Sequence, residues 1–210
     1  YILNSVIVTS GSVLGVLILS SAVAYIFARF DFPGKEFFFL AIISLLMIPG
    51  ILTLVPAFLV VKRLNLLDTR WALVLPYISG GQVFAIFVLR SFFSSIPEEL
   101  LEAARIDGAS ESQCFFKIVM PLSGAILTTV AIMNILWTWN DYVWPLVTLA
   151  NDKLWTITLG LVGFQSRYAG MELWGPLFAG YVMASIPLIV LFFFTMRYFV
   201  AGLTSGALKI

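Results

Sequence analysis

Apolar residues in this chain come in long runs separated by short polar gaps, instead of at the two- or 3.6-residue periods of half-buried strands and helices. The first run covers about residues 6–30, and at about 1.5 Å per residue it can cross a hydrocarbon core about 30 Å thick. It carries Gly11 and Gly15 in a G-x-x-x-G spacing. That spacing lets a second helix approach closely, although membrane helices also tolerate Gly with no such role. After the polar turn 31–36, a second run spans about 37–61, and Pro49 and Pro56 predict kinks in it. Pro49, Gly50, Thr53 and Pro56 either line a cavity or pack against a partner helix. A polar loop at 62–70 precedes a third run at about 71–89, whose middle holds Pro76, Tyr77, Gly80, Gly81 and Gln82. Gln82 is costly against lipid, so it is predicted to face a wet path or another helix.

A polar, charged stretch follows at 90–117. The fourth run covers about 122–139, with an extension toward 147 that includes Pro145. The loop from Asn151 to Glu172 encloses an apolar piece, 159–164, too short to span. The fifth run, about 174–196, precedes a tail that begins at Arg197 and ends at Ile210. The pattern predicts an all-α, polytopic membrane helix bundle with five spanning helices. An odd number of spans puts the two ends on opposite sides and the 90–117 segment on the side of the C-terminus. The chain divides into 1–89 with three spans, 90–121 as an extramembrane segment, and 122–210 with two spans and the tail.

Composition agrees with lipid as the solvent: 61% of the 210 residues are hydrophobic and 11% charged, with a mean hydropathy of +1.04. Twelve basic against eleven acidic residues leave a net charge of +1, too little to neutralise a nucleic-acid backbone. The absence of His and the single Cys114 exclude disulfides, His- or paired-Cys zinc sites and Ser-His or Cys-His nucleophiles. The acidic residues sit in the polar gaps, so no grouped acid/base or metal-binding set is predicted at membrane depth. Tyr1 opens the chain without a basic n-region, so no signal peptide is read, and the chain is expected to begin partway through a longer one. Of the basic residues, Arg29, Lys35, Arg90, Arg105, Lys117, Arg197 and Lys209 fall on the C-terminal side. Lys62, Arg63, Arg70, Lys153 and Arg167 fall on the other. This small excess favours a cytoplasmic C-terminal side.

The 90–121 segment is the most informative. Ser95 and Glu98 have the spacing of a capping box, with Pro97 in the first turn, and Pro97, Leu100, Leu101 and Ala104 then form an apolar stripe. Glu98, Glu102 and Arg105 occupy another face. Gly108 is placed to stop this helix, and Ser110 with Gln113 makes a second capping box for a short helix predicted to end before Pro121. The pair either lies on the membrane surface or docks into a protein groove. An acidic helix suits the groove better than anionic lipid does.

Glu102, Ala103 and Ala104, then Gly108, then Ile118, Met120 and Pro121 resemble the EAA motif of ABC-importer membrane subunits, E-A-A, three residues, G, nine residues, I-x-L-P. The spacing matches in full, with Met120 where Leu is usual. Ile96, Pro97, Glu98 and Glu99 before the motif extend the resemblance. Trp139, Asn140, Asp141, Trp144, Pro145 and Leu146 after it, and Gly202, Leu203, Thr204 and Lys209 in the tail, extend it further. Together they resemble the carbohydrate-importer branch, similar to the second permease subunit of maltose importers. The resemblance implies a six-helix family core whose first helix is missing here. It implies that the EAA loop faces the cytoplasm and couples to an ATPase through Glu102, Ala103, Ala104, Asp107, Gly108, Ile118 and Pro121. Implied partners are a second homologous permease, two ATPase subunits, an extracytoplasmic solute-binding protein and membrane lipid, in a bacterial or archaeal plasma (inner) membrane. No Walker A loop is present, so no cofactor is expected in this chain; ATP and Mg belong to the partner ATPase.

Trp137, Trp139, Asn140, Asp141, Tyr142 and Trp144 form an aromatic and polar cluster. Asp141 falls roughly 28 Å along the fourth helix, close to the outer interface. The cluster is either an interfacial aromatic belt or a set of rings and polar groups for sugar. Tyr77, Gln82, Asn134, Trp137, Asn140 and Asp141 are the candidate path residues. Other cargoes (glycerol phosphate, polyamine, peptide or amino acid) and an ATPase-independent channel or carrier are the competing readings.

Overall fold

The computed structural model describes residues 1–168 and 174–207, with side chains through residue 196. Glu172 and Lys209 lie outside the described residues. Among these the chain is all helical. Helix α1 (Ile2–Arg29) is followed by α2 (Lys35–Ser44), a 3-10 turn (Leu45–Met47) and α3 (Gly50–Arg63). Helix α4 (Trp71–Ser95) leads to α5 (Glu98–Ile106) and α6 (Glu111–Cys114). A π turn (Phe115–Val119) and α7 (Met120–Leu122) precede α8 (Gly124–Asn140), α9 (Val143–Thr148), α10 (Ile157–Arg167) and α11 (Trp174–Ala207). Three helices, α1, α4 and α11 over Trp174–Met196, are long and apolar enough to cross a membrane, or five spans if each of two bent pairs counts as one.

Several boundaries differ from the sequence pattern. Pro49 does more than kink the second run. The residue before a proline is driven out of the α region, so the helix ends in a 3-10 turn and restarts at Gly50, with Pro49 extended at ψ 127°. Pro56 and Pro76 stay inside α3 and α4. The apolar piece at 159–164 is the middle of α10, started by the Thr156 hydroxyl, which accepts from the Leu159 amide at 3.4 Å. The fifth run continues as helix to Ala207, because Gly202 and Gly206 cost only about 1 kcal/mol each and no proline follows Pro187.

The chain divides into two compact units. The first comprises 1–15, 48–80 and 133–195. Its core gathers Val8, Val61, Leu73, Val74, Tyr77, Trp144 and Leu149. Gly15 allows α1 to sit against α4, since a Cβ there would overlap the Ile78 side chain, whereas one at Gly11 would meet Val74 at an ordinary 3.8 Å. The indole N–H of Trp144 donates to the Ala72 carbonyl at 2.9 Å, which pins α9 to the start of α4. Asn4 donates to the Lys153 and Trp155 carbonyls (2.7 and 3.1 Å) and accepts from Arg70 at 3.0 Å. The 151–155 loop is thereby tied to α1.

The second unit comprises 16–47, 81–132 and 196–210. Phe27, Phe39 and Ile86 form one core cluster, and the Arg90 guanidinium lies 3.6 Å over the Phe39 ring while pairing with Glu36 at 2.6 Å. Phe93, Leu101, Cys114 and Val119 are fully buried. They fix the α5–α6 hairpin on this unit.

Candidate functional site

The hairpin is built from its two helix ends. The first predicted capping box does not form: Ser95 closes α4 and donates to the Phe92 carbonyl at 2.7 Å. Pro97, outside the first turn, is the N-cap of α5 without a side-chain cap bond. Glu98 and Glu99 occupy the first turn and Arg105 the last, each at the end of the helix dipole that favours its charge. Gly108 stops the helix at φ +86°, a conformation open to Gly and strained for other residues. The Ala109 amide reaches back to the Ala104 carbonyl (2.9 Å) and the Gly108 amide to Arg105 (3.0 Å), a Schellman closure. The second capping box does form, with Ser110 and Gln113 exchanging bonds at 3.3 and 2.9 Å.

The second helix was expected to end before Pro121, yet the chain stays helical to Leu122. Pro121 has no amide hydrogen, and its ring crowds the carbonyl four residues back. The segment ahead of it widens into the π turn, with the Met120 amide bonded to the Phe115 carbonyl. The break falls at Ser123, whose hydroxyl donates to the Val119 carbonyl at 2.6 Å, and α8 leaves at 75° to the preceding segment. Ile118 is half-buried in the π turn and Pro121 is exposed.

Which face the hairpin offers also differs from expectation. The predicted docking stripe is only partly free: Leu101 is fully buried and Ala104 half-buried, while Pro97 and Leu100 are exposed. The outward face is instead Glu99, Glu102, Ala103 and Ile106, spaced i, i+3, i+4 and i+7, with Ile106 85% exposed. Asp107 and Gly108 continue this surface. Among the described residues Glu99, Glu102 and Asp107 make no salt bridge. Glu98 and Glu111 are consumed by Arg105 at 2.7 Å each. Bonds to Glu111 and then Glu98 push Arg105 above its already high value, so it stays cationic. Ile106 lay outside the predicted contacts, though its place one turn beyond Glu102 and Ala103 could have found it.

In the first unit the structure brings Tyr77, Trp137 and Asp141 together. The Tyr77 and Trp137 rings meet edge to face at 6.0 Å, and the Tyr77 hydroxyl donates to Asp141 at 2.8 Å. The other Asp141 oxygen caps α9, accepting from the Val143 and Trp144 amides at 2.9 and 3.3 Å. Tyr77 is buried, whereas Trp137 is half exposed and Asn140 is exposed with its amide on the Leu136 carbonyl. Trp139 is buried and donates to Ala184 at 3.2 Å. Asn134 is buried on α8. Gln82 is half-buried and belongs to the second unit. Gly80 was a missed participant: a Cβ there would come within 2.9 Å of the Trp137 ring edge.

Residues 11–205 match the family described as binding-protein-dependent transport system inner membrane component. The arabinooligosaccharides transport system permease protein AraQ of Halalkalibacterium halodurans is 40% identical over 206 residues, covering 98% of this chain and 72% of that protein. The sn-glycerol-3-phosphate transport system permease protein UgpE of Yersinia pestis is 34% identical over 205 residues, again 98% and 72%. A chain of a crystallised bacterial ABC transporter involved in the import of the acidic polysaccharide alginate superposes with a TM-score of 0.79 at 26% identity, covering 93% of this chain and 73% of that one. An apolar multi-helix chain with a full EAA spacing, matched over nearly its whole length, belongs to the inner-membrane permease family of binding-protein-dependent ABC transporters.

Proposed function

We propose that this chain is one of two permease subunits of an ABC importer for a sugar or oligosaccharide. It forms half of the transmembrane path, and each bent helix pair makes one crossing, for five in all. The 90–121 segment is the cytoplasmic coupling element between the spans of 1–89 and those of 122–210. ATP and Mg are bound by two partner ATPases; an extracytoplasmic binding protein delivers the solute to this chain and a homologous permease in a bacterial or archaeal inner membrane.

The observation that carries the reading is the outward face of α5. Among the described residues, three carboxylates, Glu99, Glu102 and Asp107, make no salt bridge and flank an exposed Ile106, while the neighbouring Glu98 and Glu111 pair with Arg105. Such a face suits a groove with an apolar floor and a basic rim. Ala103 allows close approach, Gly108 sets the turn, and Ile118 and Pro121 set the path of the chain back to α8. The sugar reading is supported by the name of the arabinooligosaccharide relative and by the exposed Trp137 ring beside Asn140. Tyr77, Asp141 and Asn134 back that surface, and Gln82 lies further along α4. A polyol phosphate is the second reading, because the glycerol-3-phosphate relative aligns over the same span.

Purification of the chain from its own cell membrane is expected to bring down an ATPase and a second permease. Glu102→Lys and Gly108→Pro are expected to abolish uptake while the chain still inserts. Normal transport by both, or uptake with the ATPase inactivated, contradicts the proposal. Calorimetry of the copurifying binding protein with arabinotriose and with glycerol 3-phosphate separates the two cargoes.

A further inference from the structure

Arg29 ends α1 with one positive charge and almost no access to solvent, its side chain being 6% exposed. One terminal nitrogen donates to Glu98 at 2.6 Å in the first turn of α5. The other donates to the Phe93 and Ile96 carbonyls at the end of α4. The Phe93 carbonyl also takes the Ile96 amide at 3.3 Å and the Ile96 carbonyl lies just past the helix, where acceptors run out of intrahelical partners, so a planar guanidinium suits the pair. One side chain thus fastens three elements.

The chain of bonds continues and closes on itself. Glu98 passes to Arg105, Arg105 to Glu111 (2.7 Å each), and Glu111 accepts from the Tyr25 hydroxyl at 3.0 Å. Tyr25 is one turn before Arg29 on the same face of α1, and it is buried. Both ends of the circuit therefore rest on α1. Two Arg and two Glu make it neutral; Arg29 is nearly enclosed, whereas Glu98, Arg105 and Glu111 remain partly open to solvent. Buried Leu101 and Cys114 seat the hairpin, and the circuit in addition spans its two joints, Pro97 and the left-handed Gly108. With it, neither joint can open without breaking a charge-assisted bond.

We propose that Arg29 is a positioning residue for energy coupling, closing a Tyr25–Glu111–Arg105–Glu98 circuit that makes the α5–α6 hairpin and the adjoining ends of α1 and α4 one rigid piece. A displacement imposed on the exposed face of α5 then moves α1 and α4 with it and is not absorbed at Pro97 or Gly108. The inference rests on the ATPase-docking reading for the source of that displacement. The circuit itself stands apart from that reading, because none of its members is on the outward face.

The test measures a distance across the circuit. Spin labels at Asp31→Cys, just past α1, and Ser112→Cys, on α6, are introduced in a Cys114→Ala background. The labelled chain is studied in the complex purified from its own membrane, by double electron–electron resonance. With the circuit intact, one narrow distance is expected, unchanged when ATP and vanadate trap the ATPases. Arg29→Ala and Glu98→Gln are expected to broaden it and make it nucleotide-dependent, and Arg29→Lys, which cannot reach all three acceptors at once, to give an intermediate width. A nucleotide-dependent distance in the intact circuit overturns the proposal, as does a narrow, unresponsive one in Arg29→Ala. If Arg29→Ala fails to accumulate, Glu98→Gln with Tyr25→Phe decides alone, and an unchanged distance there overturns it. Failure of any ATPase to copurify with the unmutated chain refutes the docking reading instead, and the nucleotide-free widths still judge the circuit.

Discussion

Gly108 and Gly124 both have open space where a Cβ would go, but only Gly108 holds a left-handed backbone, at φ +86°. Gly108→Ala is therefore expected to destabilise the hairpin through backbone strain alone, by about 1–2 kcal/mol. Gly124→Ala, inside α8, is expected to cost nothing. Hydrogen exchange of the 98–114 amides in the purified complex reads the difference. Gly80 is the opposite case: its backbone is ordinary and its neighbour is close. Gly80→Ala sets a Cβ 2.9 Å from the Trp137 ring edge, and either the ring or α4 has to shift, at about 1–3 kcal/mol. If Trp137 meets the solute, the substitution should raise the KM for uptake more than it lowers the maximal rate.

At the scale of elements, end chemistry decides which predicted helices formed as expected. Ser110 and Gln113 satisfy each other's backbone amides, so Ser110→Ala is expected to loosen α6 by about 1 kcal/mol, seen as faster exchange at Gln113 and Cys114. Ser95 and Glu98 have the same spacing and do not form a box. Arg29 and Arg105 claim the Glu98 carboxylate, and Pro97 takes the cap position. A three-residue spacing gives the opportunity for a box, while charges brought in from other helices decide whether it forms. The π turn before Pro121 is legible only in hindsight, because a proline can end a helix, bend it or widen it, and the neighbours select among these.

At the scale of the molecule, the outward face of α5 joins three carboxylates, with no salt bridge among the described residues, to an exposed Ile106. A docking contact with both parts should respond to salt only in part, since screening removes the charge pairing and leaves the apolar contact. Raising salt from 0.1 to about 0.5 M is expected to weaken ATPase retention by the intact chain. Ile106→Ala is expected to weaken retention at both salt concentrations. Glu102→Gln should weaken it mainly at low salt.

The sequence alone determined that the chain is a helical membrane protein, because runs of about 18 or more apolar residues have no other economical solvent than lipid. It also determined the family, because the spacing of Glu102, Ala103, Ala104, Gly108, Ile118 and Pro121 is a local property of the chain. Tertiary structure alone decided which side of α5 is free. Leu101 lies in the predicted stripe, and its full burial is set by the packing of the second unit and not by its place on the helix. The Arg29 circuit was invisible for the same reason: its members are up to 86 residues apart, and only packing brings Tyr25 to Glu111. Periodicity and motifs report what each residue can do locally, while a buried charge acquires its partners only when distant helices meet.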